Sequence, residues 1–219
     1  SVGGDWDERK DQAGNLLERE VEVRGNFNGP MQSYAELVAG QRKRVFNGVT
    51  FDENFASSYG EIQPSGSLRF NLYVRTGDDI DFANTRPGEV LVLEPGFRFL
   101  VGRHLRFGFT HLFQRLDVEG GQLFEANLSQ LTTIYQFSSR MFVRLITQYT
   151  DIERDQTLYT ADVNGQEERL FNQLLFSYKL NPQTVLFAGY SDNALGTERI
   201  DLDRENRTFF VKLGYAWVP

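Results

Sequence analysis

Two histidines and several serines are the residues of this chain best suited to acid–base or nucleophilic chemistry, since the sequence contains no cysteine. His111 falls on the apolar face of an alternating segment, and Ser129 is the nearest serine on the next segment. A serine nucleophile needs its base within about 3 Å. No register predicted from the sequence brings these two side chains together, so we expect His111 to be an interfacial or loop-proximal histidine. His104 is predicted beside a short turn, and we expect no catalytic residue and no cofactor.

Carboxylates are grouped at three places where the polypeptide is expected to leave its strands. The groups are Asp78, Asp79 and Asp81; Asp151, Glu153 and Asp155; and Asp201, Asp203 and Glu205. Carboxylates at alternate positions share one face of a strand and offer the oxygen ligands that Ca²⁺ prefers. None of the groups has the spacing of a calcium-binding loop. We therefore expect a solvated rim that contacts lipopolysaccharide through divalent ions, and no specific metal site.

The composition favours strands and excludes several classes of protein. Nineteen Phe, nine Tyr and two Trp accompany only six Pro in 219 residues, which is typical of a single β domain. A net charge of −7 argues against nucleic acid as a partner, and the absence of Cys excludes disulfide frameworks. No run of about 18 apolar residues predicts a transmembrane helix, but alternating strands of about 10 residues can also cross a membrane.

Alternation of apolar and polar side chains predicts about eleven strands and almost no helix. The predicted strands cover residues 16–27, 31–45, 53–63, 66–79, 88–101, 104–117, 122–137, 140–152, 167–180, 184–194 and 204–217. Residues 1–15 are expected to be an external loop or a disordered lead-in, and residues 16–219 to be the barrel strands. Segment 53–63 has the weakest pattern, and ten strands would remain without it.

The same alternation divides the predicted strands into a polar face and an apolar face. The polar set comprises Arg69, Arg75, Arg98, Arg106, Arg144, Lys179 and Lys212. The apolar set comprises Phe70, Phe107, Phe109, Tyr149, Phe176, Tyr178, Phe209, Tyr215 and Trp217. We expect the polar set to face a lumen, with Glu20, Glu22 and Glu94 as counter-ions, and the apolar set to face lipid or form an aromatic girdle. A cationic lumen predicts a modest preference for anions.

Short and long connections are expected to alternate between the strands. Short turns are predicted near residues 28–30, 64–66, 102–103, 138–139 and 181–183, and longer acidic loops near 46–52, 79–88, 117–122, 152–166 and 194–204. Outer-membrane barrels combine short periplasmic turns with longer external loops. The pattern therefore predicts an all-β, antiparallel up-and-down transmembrane β-barrel, with a soluble barrel or a sandwich as the alternative. Because eleven is an odd number, we expect the chain to be the C-terminal part of a larger barrel.

Three segments resemble a known family: residues 135–149 (YQFSSRMFVRLITQY), 174–192 (LLFSYKLNPQTVLFAGYSD) and 207–217 (RTFFVKLGYAW). Together they resemble the C-terminal barrel of the DUF5916 family of bacterial outer-membrane proteins, with the match running from about residue 30 to the end. Members of that family typically carry a signal peptide and a β domain similar to carbohydrate-binding module family 9 before a long membrane barrel. The resemblance implies a membrane barrel here, while the sugar-binding-like domain is absent from this sequence. The family has no established catalytic residues to carry over.

These features favour a non-enzymatic protein of the outer membrane of a Gram-negative bacterium, acting as a porin-like pore, a receptor or a scaffold. One alternative is a membrane anchor for a periplasmic glycan-binding domain or a larger complex. A soluble β-barrel binding protein and a barrel lipid hydrolase that uses His111 are further alternatives. Expected partners are outer-membrane lipid, lipopolysaccharide, the outer-membrane assembly machinery and other subunits of a membrane complex.

Overall fold

The described residues of the chain form one antiparallel sheet of twelve strands, in which every strand pairs with its neighbours in sequence. The computed structural model describes residues 1–181, 183–196 and 202–216, and of Arg204 only the backbone. The strands are β1 (Val2–Lys10), β2 (Leu16–Gly29), β3 (Ser33–Phe46), β4 (Val49–Ser65), β5 (Leu68–Asp81), β6 (Arg86–Val101), β7 (Leu105–Val118), β8 (Gly121–Ser138), β9 (Met141–Arg154), β10 (Gln166–Asn181), β11 (Thr184–Gly196) and β12 (Asp203–Tyr215).

Helix is nearly absent from this fold. A single 3₁₀ turn, Gln156–Leu158, lies between β9 and β10 and is the only helix in the part of the chain that the structure describes. No helix within that part is long and apolar enough to span a membrane. The all-β, up-and-down architecture predicted from the alternation is confirmed.

β1 occupies the segment for which the sequence predicts a loop or a disordered lead-in, and that prediction is wrong. Val2–Lys10 pairs with β2 along its whole length. Val2 and Trp6 are its only large apolar side chains, which is too few for an alternating pattern to be recognised. The strand is held instead by the β2 ladder and by ion pairs such as Glu8 with Arg19, at 2.6 Å. The described residues form twelve strands instead of the predicted eleven, so the odd number behind the prediction of a larger barrel is not observed among them.

Two of the connections predicted to be long loops are tight turns. Asn47 and Gly48 have φ angles of 49° and 77°, the positive values that a two-residue hairpin turn of the Asn-Gly type requires. β4 therefore extends on both sides of segment 53–63, whose pattern is the weakest in the sequence. Residues 119–120 form the second tight turn. The predicted strict alternation of short and long connections is wrong, and residues 155–165 form the longest connection that the structure describes.

The register assigns each strand side chain to one of two faces, because directly opposite residues share a face. Phe70 lies opposite Phe97, which in turn lies opposite Phe109. Arg69 lies opposite Arg98 on the other face of the sheet. We call the face of Phe70 the outer face and the face of Arg69 the inner face.

The outer face exposes a broad apolar surface. Its exposed members include Val21, Val23, Leu37, Phe70, Leu72, Phe97, Phe99, Leu131, Tyr135, Leu145, Leu174, Tyr178, Phe209, Val211, Leu213 and Tyr215. The buried apolar side chains of the described residues are few, namely Phe51, Ile80, Val90, Val92, Leu116 and Leu123. This distribution is the reverse of a soluble protein, whose large apolar side chains pack into a core.

The sheet ends at two edge strands, β1 and β12. Among the described residues β1 pairs only with β2, and β12 pairs only with β11. Each edge therefore presents backbone donors and acceptors that another strand can use.

Candidate functional site

Residues 155–165, which connect β9 to β10, fold back over the inner face, and we call them the strap. Leu158 and Tyr159 of the strap pack against a buried cluster made of Val90, Val92, Leu116 and Leu123. These four residues belong to β6, β7 and β8, so the strap crosses three neighbouring strands. The inner face is therefore the covered side of the sheet.

The strap is tied to the turn between β5 and β6. Arg86 Nη2 donates to the carbonyl oxygen of Leu158 over 2.6 Å. Asn84 Oδ1 accepts from the backbone N–H of Thr160 at 2.8 Å and from its hydroxyl at 2.9 Å. Asp81, only 1% exposed, holds both partners, because its carboxylate accepts from Asn84 Nδ2 at 2.6 Å and from Arg86 Nε at 2.8 Å. One buried carboxylate thus organises the whole attachment.

Two ionisable side chains of the strap have shifted pKa values. Asp155 Oδ1 accepts from the hydroxyl of Thr157 at 2.6 Å and from its backbone N–H at 3.0 Å. These hydrogen bonds lower the pKa of Asp155, because they favour the carboxylate. Burial raises the pKa of Tyr159, because the phenolate is poorly solvated beside the apolar cluster. Near neutral pH both groups are therefore in the form that suits the docked strap.

A network of buried ion pairs crosses β3, β4 and β5 on the inner face. The Glu53 carboxylate, whose side chain is 2% exposed, lies 2.7 Å from Arg42 Nη2 and 2.6 Å from Arg44 Nε. Arg44 also forms an ion pair with Asp79 at 2.5 Å, and Asp79 forms one with Arg75 at 3.1 Å. Buried charges need such pairing, because desolvation makes an unpaired one costly. Since both carboxylates are already engaged by arginines, we interpret the network as structural.

Four arginines lie on the inner face towards the other end of the strands, and we call them the arginine strip. Arg69 on β5 lies directly opposite Arg98 on β6. Arg106 on β7 and Arg144 on β9 both lie opposite Ile134, one on each side of β8. The register therefore brings cations from four strands to one region near the short turns.

Few protein groups neutralise the arginine strip. Arg69 lies 3.5 Å from Glu61, and Arg144 Nη2 lies 3.4 Å from Gln173 Oε1. Arg144 Nε is buried and has no hydrogen-bond partner among the described residues. Within the same residues no carboxylate forms an ion pair with Arg98, Arg106 or Arg144. The strip is thus basic and largely uncompensated.

Two adjacent cavities open onto the strip. One of about 120 Å³ is lined by Arg69 and Arg98, and the other, of about 340 Å³, by Arg106 and Arg144. Leu100 contributes to the walls of both. The smaller cavity therefore combines two guanidinium groups with apolar wall, and the larger combines three, because Arg103 and His104 of the turn before β7 also line it.

Comparison with solved structures identifies the fold. OmpT (in-vitro folded), an outer membrane protein of Vibrio cholerae, matches over 92% of this chain and 65% of its own, with a TM-score of 0.55 and 14% identity. The loop L8 deletion mutant of the same protein matches over 94% of this chain and 65% of its own, with a TM-score of 0.54 and 16% identity. The chain has the fold of an outer-membrane β-barrel. A NanC porin structure also matches, over 99% of this chain and 98% of its own, with 11% identity and a TM-score of 0.41.

The chain spans about 65% of the length of the OmpT structures that it matches. No protein-family model matches it, and no curated protein matches it. The resemblance to the DUF5916 family therefore stays a prediction. Because the identities are 14% and 16%, the likeness concerns the fold, and the roles of the barrel side chains must be argued from their geometry.

The register of the barrel places the whole predicted polar set on the inner face. Its members are Arg69, Arg75, Arg98, Arg106, Arg144, Lys179 and Lys212. The apolar set falls on the outer face, with Phe70, Phe107, Phe109, Tyr149, Phe176, Tyr178, Phe209 and Tyr215. Trp217 lies outside the described residues. A period of two is enough to fix the face of a side chain, which is why these assignments agree with the register.

The counter-ions of the polar set differ from those predicted. Glu20 lies 3.6 Å from Arg42, and Glu22 pairs with Arg24. Glu94 forms no ion pair in the part of the chain that the structure describes. The observed pairs are Arg69 with Glu61 and Arg75 with Asp79. Alternation predicts the face of a carboxylate but not its distance from a given cation, and this is why the prediction fails.

His111 and Ser129 are brought together on the outer face, contrary to the prediction from sequence. They are directly opposite in the β7–β8 ladder, and His111 Nδ1 lies 2.8 Å from Ser129 Oγ. Ser129 lies inside continuous β7–β8 and β8–β9 ladders, whereas the β6–β7 pairing is interrupted beside His111, at Glu94 and Pro95. We interpret the pair as two polar groups that satisfy each other on an apolar surface.

The clusters of acidic residues recognised in the sequence have other roles in the barrel. Asp78 accepts from the backbone N–H of Asn54 at 2.8 Å, while Asp79 and Asp81 bind arginines. Asp155 begins the strap, and Asp201 lies outside the described residues. No group of three or more possible metal ligands occurs within the ranges that the structure describes.

Sequence reasoning missed the residues that hold the strap. Leu158 and Tyr159 are adjacent large apolar residues inside a mostly polar connection. A solvated external loop has no need of such a pair, so it was a usable signal for a docked loop. Asp81 and Asn84 have the short spacing at which an aspartate accepts from the turn that follows it. Neither signal identifies the partner, which lies more than 70 residues away along the chain.

Proposed function

We propose that this chain forms the wall of an outer-membrane pore for small hydrophilic solutes. The observation that carries the proposal is the division of one sheet into an exposed apolar outer face and a charged inner face crossed by the strap. A bilayer accommodates the first face and water the second. Passage is then passive and non-enzymatic, with the strap narrowing the path and the inner charges selecting solutes.

The outer face suits lipid better than water. Phe209, Val211 and Leu213 occupy alternate positions of β12 and are 77%, 75% and 64% exposed. Removing each such side chain from water is worth roughly 1.5–3 kcal/mol, so a row of them favours a bilayer. The location that follows is the bacterial outer membrane, with lipid and lipopolysaccharide around the barrel. The outer-membrane assembly machinery would insert it.

The sheet edges need partners in a bilayer. Lipid offers no hydrogen bonds, and each unsatisfied backbone group there costs several kcal/mol. We propose that further strands, from this protein or from another subunit, pair with β1 and β12 to complete the wall. Cysteines introduced as Gly3→Cys and Gly214→Cys test this, because an efficient disulfide between them in membranes would mean that β1 and β12 close directly on each other.

Planar-bilayer recordings test the pore. We expect stepwise conductance in KCl, and we expect a larger step after deletion of residues 156–164, since the deletion removes the covering segment. Protection of the reconstituted protein from external protease verifies insertion. An inserted protein that conducts nothing, with and without the strap, would contradict the pore.

A membrane anchor or scaffold is the second candidate, and the strap itself favours it. Leu158 and Tyr159 fill apolar space above β6, β7 and β8, which is how a passage would be closed. The same recordings separate the two functions. Insertion without conductance, before and after strap deletion, is the result expected of a scaffold.

A further inference from the structure

We propose that the arginine strip is a binding site for small organic oxyanions, whose carboxylate, phosphate or sulfate groups enter its two cavities. This proposal rests on the proposed pore, because it names the class of solute that the inner face selects. Three observations carry it: opposed like charges, a buried donor without a partner, and cavities that combine guanidinium groups with apolar walls.

The first observation is the pairing of Arg69 with Arg98. Like charges directly opposite each other in neighbouring strands are destabilising. Glu61 lies 3.5 Å from Arg69, but Arg98 has no carboxylate partner among the described residues. An oxyanion in the cavity of about 120 Å³ between them would neutralise both.

The second observation is the state of Arg144. Its Nε is buried and unpartnered among the described residues, and its contact with Gln173 is long at 3.4 Å. Buried donors are normally satisfied, and one that is not points to a missing acceptor. An oxyanion accepts from the Nε and Nη groups of a guanidinium together, as a two-pronged hydrogen-bonded pair.

The third observation is the shape and lining of the larger cavity. Arg106 and Arg144 flank Ile134, and Phe142 and Leu100 complete apolar parts of the wall. About 340 Å³ accommodates a short carbon skeleton as well as one charged group. The class that fits is therefore an organic anion with one or two oxyanion groups, in preference to a halide ion, which has no pair of oxygen atoms to match the planar guanidinium edge.

The arginines of the inner-face ion-pair network provide an internal contrast. Arg42 and Arg44 are engaged by Glu53, and Arg75 by Asp79, although Arg75 Nη2 is buried without a hydrogen-bond partner among the described residues. Within the described part of the strip only Arg69 has a carboxylate at ion-pair distance, that of Glu61 at 3.5 Å, although all four arginines lie on the same face of the same sheet. Uncompensated charge is thus confined to the end of the strands near the short turns.

Single-channel recording with succinate and inorganic phosphate as probes tests the site. We expect anion selectivity in a KCl gradient and block of the current by either probe. The variant Arg98→Gln/Arg106→Gln/Arg144→Gln should shift the reversal potential towards cation selectivity and raise the half-blocking concentration by about tenfold or more, the effect of losing one charge-assisted hydrogen bond. The variant Arg98→Lys/Arg106→Lys/Arg144→Lys should keep the selectivity but lose much of the block, because it retains charge without the planar edge.

A matched control changes charge on the outer face only. Arg19→Gln/Lys43→Gln/Arg115→Gln removes the same number of charges and should leave selectivity and block unchanged. Calorimetric titration of the detergent-solubilised protein with succinate gives a readout that does not depend on conduction. Absence of conductance in every variant would contradict the pore but not the site, whereas equal succinate affinity in the wild type and the triple Gln variant would overturn the site.

Discussion

Arg86 Nη2 donates a hydrogen bond to the carbonyl oxygen of Leu158 over 2.6 Å, although the two residues are 72 positions apart in the chain. The bond fixes the strap at the turn between β5 and β6, after it has crossed β6, β7 and β8. The carboxylate of Asp81, which is almost fully buried, completes the arrangement by accepting a hydrogen bond from Arg86 Nε over 2.8 Å. The position of the strap over the inner face is therefore fixed where β5 ends and β6 begins.

Replacing Arg86 should release the strap. In Arg86→Gln the shorter amide cannot reach both Asp81 and Leu158, and the buried Asp81 carboxylate loses its cation, which is strongly unfavourable. We expect larger and noisier conductance together with faster protease cleavage within residues 155–165. Arg115→Gln, on the outer face, is the control, and unchanged cleavage in Arg86→Gln would contradict the role of this contact.

Truncating Leu158 should weaken docking of the strap without altering charge. Leu158→Ala removes a partly buried side chain from the cluster of Val90, Val92 and Leu116, and we expect docking to weaken by about 1–2 kcal/mol, less than for a fully buried leucine. A fluorophore on Asp162→Cys can report docking, because the chain has no other cysteine. With the same reporter, Asn164→Ala should leave docking as it is, since the Asn164 side chain is exposed.

Glu53 should be essential to the stability of the sheet. Glu53→Gln leaves Arg42 and Arg44 without their shared carboxylate, and breaking such a buried pair costs about 3–5 kcal/mol. Urea unfolding in detergent micelles measures the loss. The neighbouring Asp52 is a matched control, because its side chain is 75% exposed and pairs with Lys43 on the outer face. Asp52→Asn should change the free energy of unfolding by less than about 0.5 kcal/mol. Equal effects of Glu53→Gln and Asp52→Asn would contradict the prediction.

Docking of the strap should weaken at high pH, and the turn that begins the strap should loosen at low pH. The pKa of Tyr159 is raised. Its contribution to the free energy of docking is therefore fully present below the ordinary pKa of about 10, and it disappears as the pH rises through the folded-state pKa. The pKa of Asp155 is lowered. Its contribution to the stability of the turn is therefore present above the ordinary pKa of about 3.9, and it disappears as the pH falls through the folded-state pKa. The Asp162→Cys fluorophore should report both transitions. Tyr159→Phe should abolish the alkaline one and Asp155→Ser the acidic one.

The His111–Ser129 pair should stabilise the barrel and hydrolyse nothing. In a double-mutant cycle with His111→Ala and Ser129→Ala, we expect a coupling of about 0.5–1.5 kcal/mol in the free energy of unfolding, the net worth of one hydrogen bond. Phospholipid hydrolysis by the reconstituted wild type is measured alongside. Hydrolysis that is lost in Ser129→Ala would show that the pair is catalytic and that our interpretation is wrong.

Alternation in the sequence determined the all-β class, most of the strands and the two faces. Arg69 and Phe70 are adjacent in sequence and lie on opposite sides of the sheet, because successive side chains of an extended strand point in opposite directions. The same rule placed the arginine strip on one face before any contact was known. It missed β1, whose few apolar residues give no pattern, and it overlooked the Asn47-Gly48 turn signal.

Only the tertiary structure decided which residues meet. A strand period of two fixes the face but leaves the register open, and register is set by turns and bulges between the strands. That is why His111 faces Ser129, and why Glu61 and Asp79 replace the predicted counter-ions. The path of residues 155–165 depends on apolar surface supplied by β6, β7 and β8 and on a hydrogen bond from Arg86. No local pattern within a loop can specify partners that distant strands bring to it.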